Sequence, residues 1–200
     1  MSNRSYVILY NNVIKLCTNN DIQIVSEPKN ELDIANNIKS GSYERIEIDG
    51  RKQGKDYKFI ILPEVKKYTK KKNSNDLLGR YQGAYHKIMV ICVKEEQLTK
   101  LQIVINGLGP DNFILTSCEP LRYNFLTHCH GNLIKKIMPK EEIELLQDSF
   151  KLELKSLPKI EYGKDALTLW YFDLIKKGDV IIVDDISDNS GGILLYRYVI

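Results

Sequence analysis

Residues 157–200 read LPKIEYGKDALTLWYFDLIKKGDVIIVDDISDNSGGILLYRYVI, and the punctuation of this stretch decides how the chain is read. Val180-Ile181-Ile182-Val183 is a β-branched run entered through Gly178-Asp179, which predicts a buried strand after a turn. Ser187-Asp188-Asn189-Ser190-Gly191-Gly192 is a second turn cluster, and a second apolar run follows from Ile193 to Ile200. Two strands around a Gly-rich turn predict a hairpin, with Gly191-Gly192 supplying positive φ. An end held in a sheet is ordered, so the expectation is that a partner docks there.

The order of pieces is Leu-Pro-x-Ile (157–160), a short helix, Ile-Lys-Lys-Gly-Asp-Val (175–180), Ser-x-x-Ser-Gly-Gly (187–192) and Tyr-Arg-Tyr-Val (196–199). It resembles the C-terminal assembly domain of the fifth common subunit of eukaryotic nuclear RNA polymerases, a family that includes the archaeal counterpart of that subunit. The resemblance starts near His128 and keeps its order to Ile200. Leu157, Pro158, Ile160, Gly178, Val180, Gly192, Tyr196 and Arg197 match the pattern by position. Pro158 fixes the entry, the glycines allow the turns, and Arg197 can make bidentate hydrogen bonds. Any hairpin would want the glycines and Val180, so Tyr196 and Arg197 are the residues expected on a partner surface.

The resemblance implies a small α+β assembly domain over 128–200 that docks on the largest polymerase subunit. It also implies an α/β N-terminal jaw over 1–127, restriction-endonuclease-like in fold, beside downstream duplex DNA. The chain departs from the family in places. His128 or His130 can supply the first histidine of a His, Pro, His opening, but Leu133 and Lys135 stand near the places of the other two. Asp165 is followed by Ala166 rather than proline, and the span from Pro158 to Gly178 is a few residues longer than usual. Such divergence suits a polymerase of a large DNA virus as well as a cellular one. The expected location is the nucleus if cellular, or the virion and cytoplasmic viral factory if viral.

The totals set bounds. Two hundred residues at 43% hydrophobic allow one domain or two small ones. No apolar run approaches the roughly 20 residues that span a bilayer, so no membrane partner is expected. Met-Ser-Asn-Arg-Ser-Tyr lacks the marks of a signal peptide, which predicts a reducing compartment with Cys17, Cys92, Cys118 and Cys129 as thiols. Net charge is +3, but residues 131–200 carry 10 basic and 12 acidic side chains against 19 and 14 before them. Nucleic-acid contact therefore belongs first to the N-terminal part.

Val7, Tyr10, Ile14 and Cys17 predict an amphipathic helix over 4–18, and Ile22, Ile24 and Val25 a short extended piece. A second helix is expected over 30–39, with Leu32, Ala35 and Ile38 inward. Arg45–Asp49 reads as a strand with Asp49-Gly50 as its turn, and Lys58–Leu62 as a second strand closed by Pro63. His86–Val93 reads as a central strand. Glu95–Asn106 reads as a helix with Leu98, Leu101 and Ile105 inward and Gly107 past its end. Phe113–Cys118 and Leu121–Leu126 complete an α/β pattern. Farther on, Pro139 in the first turn opens a helix whose buried face is Ile143, Leu146 and Phe150. Asp165–Phe172 is helix-like and leads into the hairpin.

Several constellations bear on chemistry. Cys118, His128, Cys129 and His130 raise a zinc question, but three consecutive residues converge badly and no Cys-x-x-Cys anchors them, so no metal is expected. Asp49, a strand ending at Pro63, then Glu64-Val65-Lys66 looks like the acid and Glu-x-Lys of metal-dependent nucleases, where two carboxylates hold a divalent ion and a lysine activates water. Glu-x-Lys is common in so Lys-rich a chain, and the resembled jaw carries the fold without cleavage, so Asp49, Glu64 and Lys66 form the alternative reading. Lys66, Lys67, Lys70, Lys71, Lys72 and Arg80 are the candidate phosphate contacts, chosen by clustering. The reading is thus a non-catalytic polymerase subunit without a cofactor or active site of its own. Its expected partners are the largest subunit, other polymerase subunits and, weakly and non-specifically, downstream DNA. A free-standing nucleic-acid-binding module is a third option, which would need useful DNA affinity by itself.

Overall fold

A computed structural model describes residues 3–34, 45–63, 78–108, 112–127, 133–185 and 193–200. The chain divides into two compact units, Met1–Tyr123 and Asn124–Ile200.

In the first unit, α1 (Asn3–Asn19) is followed by β1 (Gln23–Ile24), β2 (Ile46–Lys52), β3 (Lys55–Leu62), β4 (Lys87–Cys92), α2 (Leu98–Leu108) and β5 (Phe113–Ser117). The strands form one sheet in the order β1-β2-β3-β4-β5. β1, β2 and β3 are antiparallel, and β3, β4 and β5 are parallel. Parallel neighbours need covering on both faces, which explains the unbroken apolar runs Phe59–Leu62 and Ile88–Cys92. On one face Ile60, Leu62, Ile88, Val90 and Cys92 pack with Leu101 and Ile105 of α2 and with Leu78 and Tyr81. The other face buries Ile46, Ile48, Phe59 and Met89, and α1 brings Leu9, Val13, Leu16 and Cys17, all buried, at helical spacing.

Four local expectations in this unit change. Asp49-Gly50 is no turn: β2 runs on to Lys52, and the reversal is at Gln53-Gly54, with φ of 51° and 74°. Two left-handed residues suit the twist of a two-residue hairpin. Gly50 is glycine for a different reason, since a Cβ there would lie 2.4 Å from Ile22 Cγ2. We expect Gly50→Ala to cost about 1–3 kcal/mol by overpacking, read as a shift in the urea midpoint at unchanged slope.

Gly107 lies inside α2 rather than past its end, because burial of Leu101 and Ile105 offsets the weak propensity of one glycine. Leu121–Leu126 is not a strand. Two 3-10 turns, Glu119–Leu121 and Phe125–Thr127, occupy it, Pro120 having no N–H to give a ladder. Of the 30–39 helix, residues 31–34 are helical, capped by Asn30 Oδ1 accepting from Asp33 N at 2.7 Å. Leu32 is exposed rather than inward, while Ala35 and Ile38 lie outside the described residues.

The second unit holds β6 (Leu133–Ile137), α3 (Lys140–Phe150), β7 (Lys159–Ile160), α4 (Ala166–Trp170), β8 (Val180–Asp185) and β9 (Ile193–Val199). Its sheet runs β6-β8-β9-β7. The hairpin partners are there, Ile181 opposite Arg197 and Val183 opposite Leu195. Strands β6 and β7 are too short and too charged to announce themselves. Asp165 caps α4, its Oδ1 accepting from Leu167 N at 2.9 Å, and Leu167 through Trp170 are all buried.

Helix α3 departs from expectation. Pro139 is its N-cap rather than a residue of the first turn, and none of its residues is buried. Ile143 and Leu146 are half-buried, and Phe150 is 72% exposed. The spacing is amphipathic, but the described residues of this unit do not cover the stripe enough to bury it.

Candidate functional site

Strand alternation puts Glu47 and Asp49 on one face of β2, and the register sets Lys58 of β3 directly opposite Asp49. Lys58 stands in the apolar run Tyr57–Leu62 and is only 4% exposed. A buried ammonium survives only if paired, and this one is. Its Nζ donates to Asp49 Oδ1 at 2.9 Å and Oδ2 at 3.1 Å, and lies 2.7 Å from Glu47 Oε2. The 3-10 turn Gly79–Tyr81 closes the cluster from above. Tyr81 Oη donates to Glu47 Oε1 at 2.8 Å and accepts from Arg80 at 2.6 Å, while Tyr85 Oη donates to Asp49 Oδ1 at 3.1 Å. Arg45 also donates to Glu47. The Lys58 ammonium lies 5.2 Å from the centre of the Tyr81 ring and 5.7 Å from that of Tyr85.

The electrostatics follow. Burial would raise the Glu47 carboxyl, but hydrogen bonds from Lys58, Tyr81 and Arg45 and the Lys58 charge outweigh it and hold it at about 2. Burial likewise pushes Lys58 down, yet its bonds to Glu47 and Asp49 win, so its pKa is raised. The lysine stays protonated at neutral pH and is no nucleophile. Among the described residues every buried side-chain nitrogen and oxygen has a partner. The cluster is a closed polar clamp that ties the segment around Tyr81 and Tyr85 to β2 and β3. Sequence reading missed Lys58, Glu47, Tyr81 and Tyr85. The available signal was a lysine inside an apolar run facing an acid across a short hairpin.

This gives Asp49 an occupation that differs from metal binding: its two oxygens face Lys58 and Tyr85. Glu64 and Lys66 lie outside the described residues, so the acid and Glu-x-Lys set is not brought together on them. Among the described residues no group of three or more His, Cys, Asp or Glu converges on a metal-sized site. His128, Cys129 and His130 are outside the described residues, and Cys118 is buried with its thiol toward the Val93 carbonyl at 3.6 Å.

Of the basic candidates, Lys66, Lys67, Lys70, Lys71 and Lys72 are outside the described residues. Arg80 is half-exposed, its guanidinium 4.7 Å from the Tyr81 ring centre and 3.5 Å from Glu47 Oε1. It is held by the clamp and keeps only part of its fork for a phosphate.

The partner candidates of the second unit are spread over its sheet. Leu157 and Ile160 are half-buried, Pro158 and Gly178 are exposed, and Gly192 is outside the described residues. Ile160 packs beside the core of Leu167, Ile175, Ile181, Val183 and Val199. Val180 is buried and Gly178 has φ of 93°, so both serve the hairpin itself. Tyr196 and Arg197 are neighbours on β9 and point to opposite faces, so they do not form one patch. Arg197 shares the face of Ile181, and Tyr196 the face of Ile182. The C-terminal strand is interior to its sheet: β9 pairs with β8 on one side and β7 on the other.

No protein-family model matches this chain, and no curated protein matches it.

Proposed function

We propose that the chain is a non-catalytic structural subunit of a multisubunit DNA-directed RNA polymerase. Its second unit docks on the largest subunit, and its first supports downstream duplex DNA through phosphate contacts. The ordered resemblance over residues 157–200 suggests the family. The observation that carries docking is that large apolar side chains of the second unit are left exposed by its described residues: Leu145 is 65% and Phe150 72% exposed on α3. Leu133 and Leu194, both in register with Asp184 in the sheet of that unit, are exposed as well. Several exposed large apolar side chains on a small unit suit a protein-binding surface. The clamp around Lys58 supports a structural rather than a catalytic first unit, because Lys58, Arg45 and Arg80 take up both of its carboxylates.

The test is purification of the tagged full chain from its native source. The largest polymerase subunit should come with it at stoichiometric yield. Leu145→Glu with Phe150→Glu should cut that yield at least tenfold while Trp170 fluorescence stays native, because both side chains are exposed. A chain that travels with no transcription machinery refutes the proposal. Magnesium-dependent cleavage of duplex DNA, lost on Glu64→Ala, would instead favour the nuclease.

A further inference from the structure

The sheet of the first unit ends in β1 and β5, and that of the second in β6 and β7. An outer strand carries a row of unpaired N–H and C=O groups, and folds guard it with shortness, charge, proline or a bulge. β1 and β7 are guarded by length, at two residues each. β6 presents Lys135 and Lys136 and breaks register between Ile134 and Lys136. β5 has none of these guards. Phe113-Ile114-Leu115-Thr116-Ser117 holds no charge, proline or glycine, and its register with β4 is unbroken throughout.

The ladder shows which backbone groups of β5 turn away from β4. Cys118 N donates to Cys92 O at 2.9 Å, so Cys118 faces β4. Alternate residues of a strand turn their backbone groups to the same neighbour, so Thr116 and Ile114 face β4 as well. Phe113, Leu115 and Ser117 therefore direct N–H and C=O outward. Among the described residues no strand pairs with that side. The Ser117 carbonyl accepts from the Thr116 hydroxyl at 3.2 Å and has a second lone pair to offer. The side chains of Phe113 and Leu115 pack beside the core under α2 and are only half-buried.

We propose that β5 pairs antiparallel with β5 of a second copy of this chain, about a two-fold axis at Leu115, so that the two five-stranded sheets join edge to edge. The inference goes beyond the polymerase reading and does not depend on it. Three features favour the chain itself over a foreign segment. A two-fold axis at an outward-facing residue lets Leu115 exchange both hydrogen bonds with its mate, and sets Phe113 opposite Ser117, which also face outward. Side chains then meet as Phe113 with Ser117 and Ile114 with Thr116, a larger one against a smaller one each time. The strand is also neutral, so no charge is set against its own copy. A five-residue edge is small for an interface, which makes the dimer weak and concentration-dependent.

The experiment is analytical sedimentation of the full chain from about 5 to about 500 μM, with amide exchange at both ends of that range. Mass should move from monomer toward dimer, half the chain being paired at about 100 μM. The Phe113, Leu115 and Ser117 amides should exchange about threefold more slowly at the upper end. Added salt should leave the dimer unchanged, since the contact holds no charge. Leu115→Pro removes an N–H that β4 does not use, at an edge position where proline is tolerated. It should weaken pairing at least tenfold while far-UV circular dichroism at low concentration stays native. Ser117→Pro removes another outward N–H at the strand end and gives the same readout where loss of the Leu115 side chain prevents folding. A monomer at every concentration overturns the proposal, including one whose β5 amides are protected by a foreign strand in a native complex. So does a dimer that persists in the proline variants, or one whose added protection falls on α3 rather than on β5. Failure of the chain to co-purify with a polymerase would refute the docking reading and leave this one standing.

Discussion

Removing Tyr198, Val199 and Ile200 should unfold the second unit rather than merely free it from a partner. Those residues take part in five backbone hydrogen bonds: Tyr198 N to Pro158 O, Val199 N to Asp179 O, Gly178 N to Val199 O, Ile200 N to Ile160 O and Tyr162 N to Ile200 O, each 2.8–2.9 Å. At about 1 kcal/mol net per bond they contribute about 5 kcal/mol. The fully buried Val199 side chain adds about 2 kcal/mol. A unit of this size holds about 4–12 kcal/mol in total. Its sheet would also lose the strand end that joins β7 to β8.

Trp170, the single tryptophan, is fully buried in this unit and reports the loss directly. The truncated chain should show red-shifted emission and rapid amide exchange across 133–183. Tyr196→Phe and Arg197→Gln, at half-buried positions, should leave both unchanged. Native emission after truncation would show that the strand is dispensable. A truncation that abolishes partner binding is consequently no evidence of contact at the tail, and point variants on α3 are the proper probe of docking.

Lys58→Met should be the most damaging single substitution in the first unit. It leaves Glu47 and Asp49 beside each other without their shared counter-charge, at an expected loss of about 3–5 kcal/mol. Adding Glu47→Gln and Asp49→Asn to Lys58→Met should recover much of it, since what costs is the unpaired charge rather than the absence of the pair. Urea unfolding followed by far-UV circular dichroism measures both. Equal midpoints for Lys58→Met and wild type would mean that water replaces the ammonium at little cost.

The same clamp sets an acid limit. Glu47 titrates at about 2 in the fold against an ordinary 4.5, so its contribution is complete above about pH 4.5 and is lost as pH falls through about 2. The shift alone corresponds to about 3 kcal/mol, and partial solvent access discounts it to about 1–2 kcal/mol. Wild type should lose that margin between pH 4.5 and 2. Glu47→Gln should be flatter over the same interval.

The sequence by itself determined the local elements whose pattern is strong. Residues 4–18 carry a 3.6 period and form α1, the run around Ile88–Cys92 is a central strand, and the Gly-rich cluster at 187–192 separates β8 from β9. These depend on side-chain spacing and on backbone preferences within a few residues, which a single chain displays. Only the tertiary structure decided what each element meets. The placing of β9 between β8 and β7, the tight fit of Gly50 under Ile22, the burial of Lys58 between two acids and the uncovered stripe of α3 all arise between residues far apart in sequence. The physical reason is that strand register and burial are settled by ladder hydrogen bonds and apolar area summed over the whole sheet. No local window contains those terms.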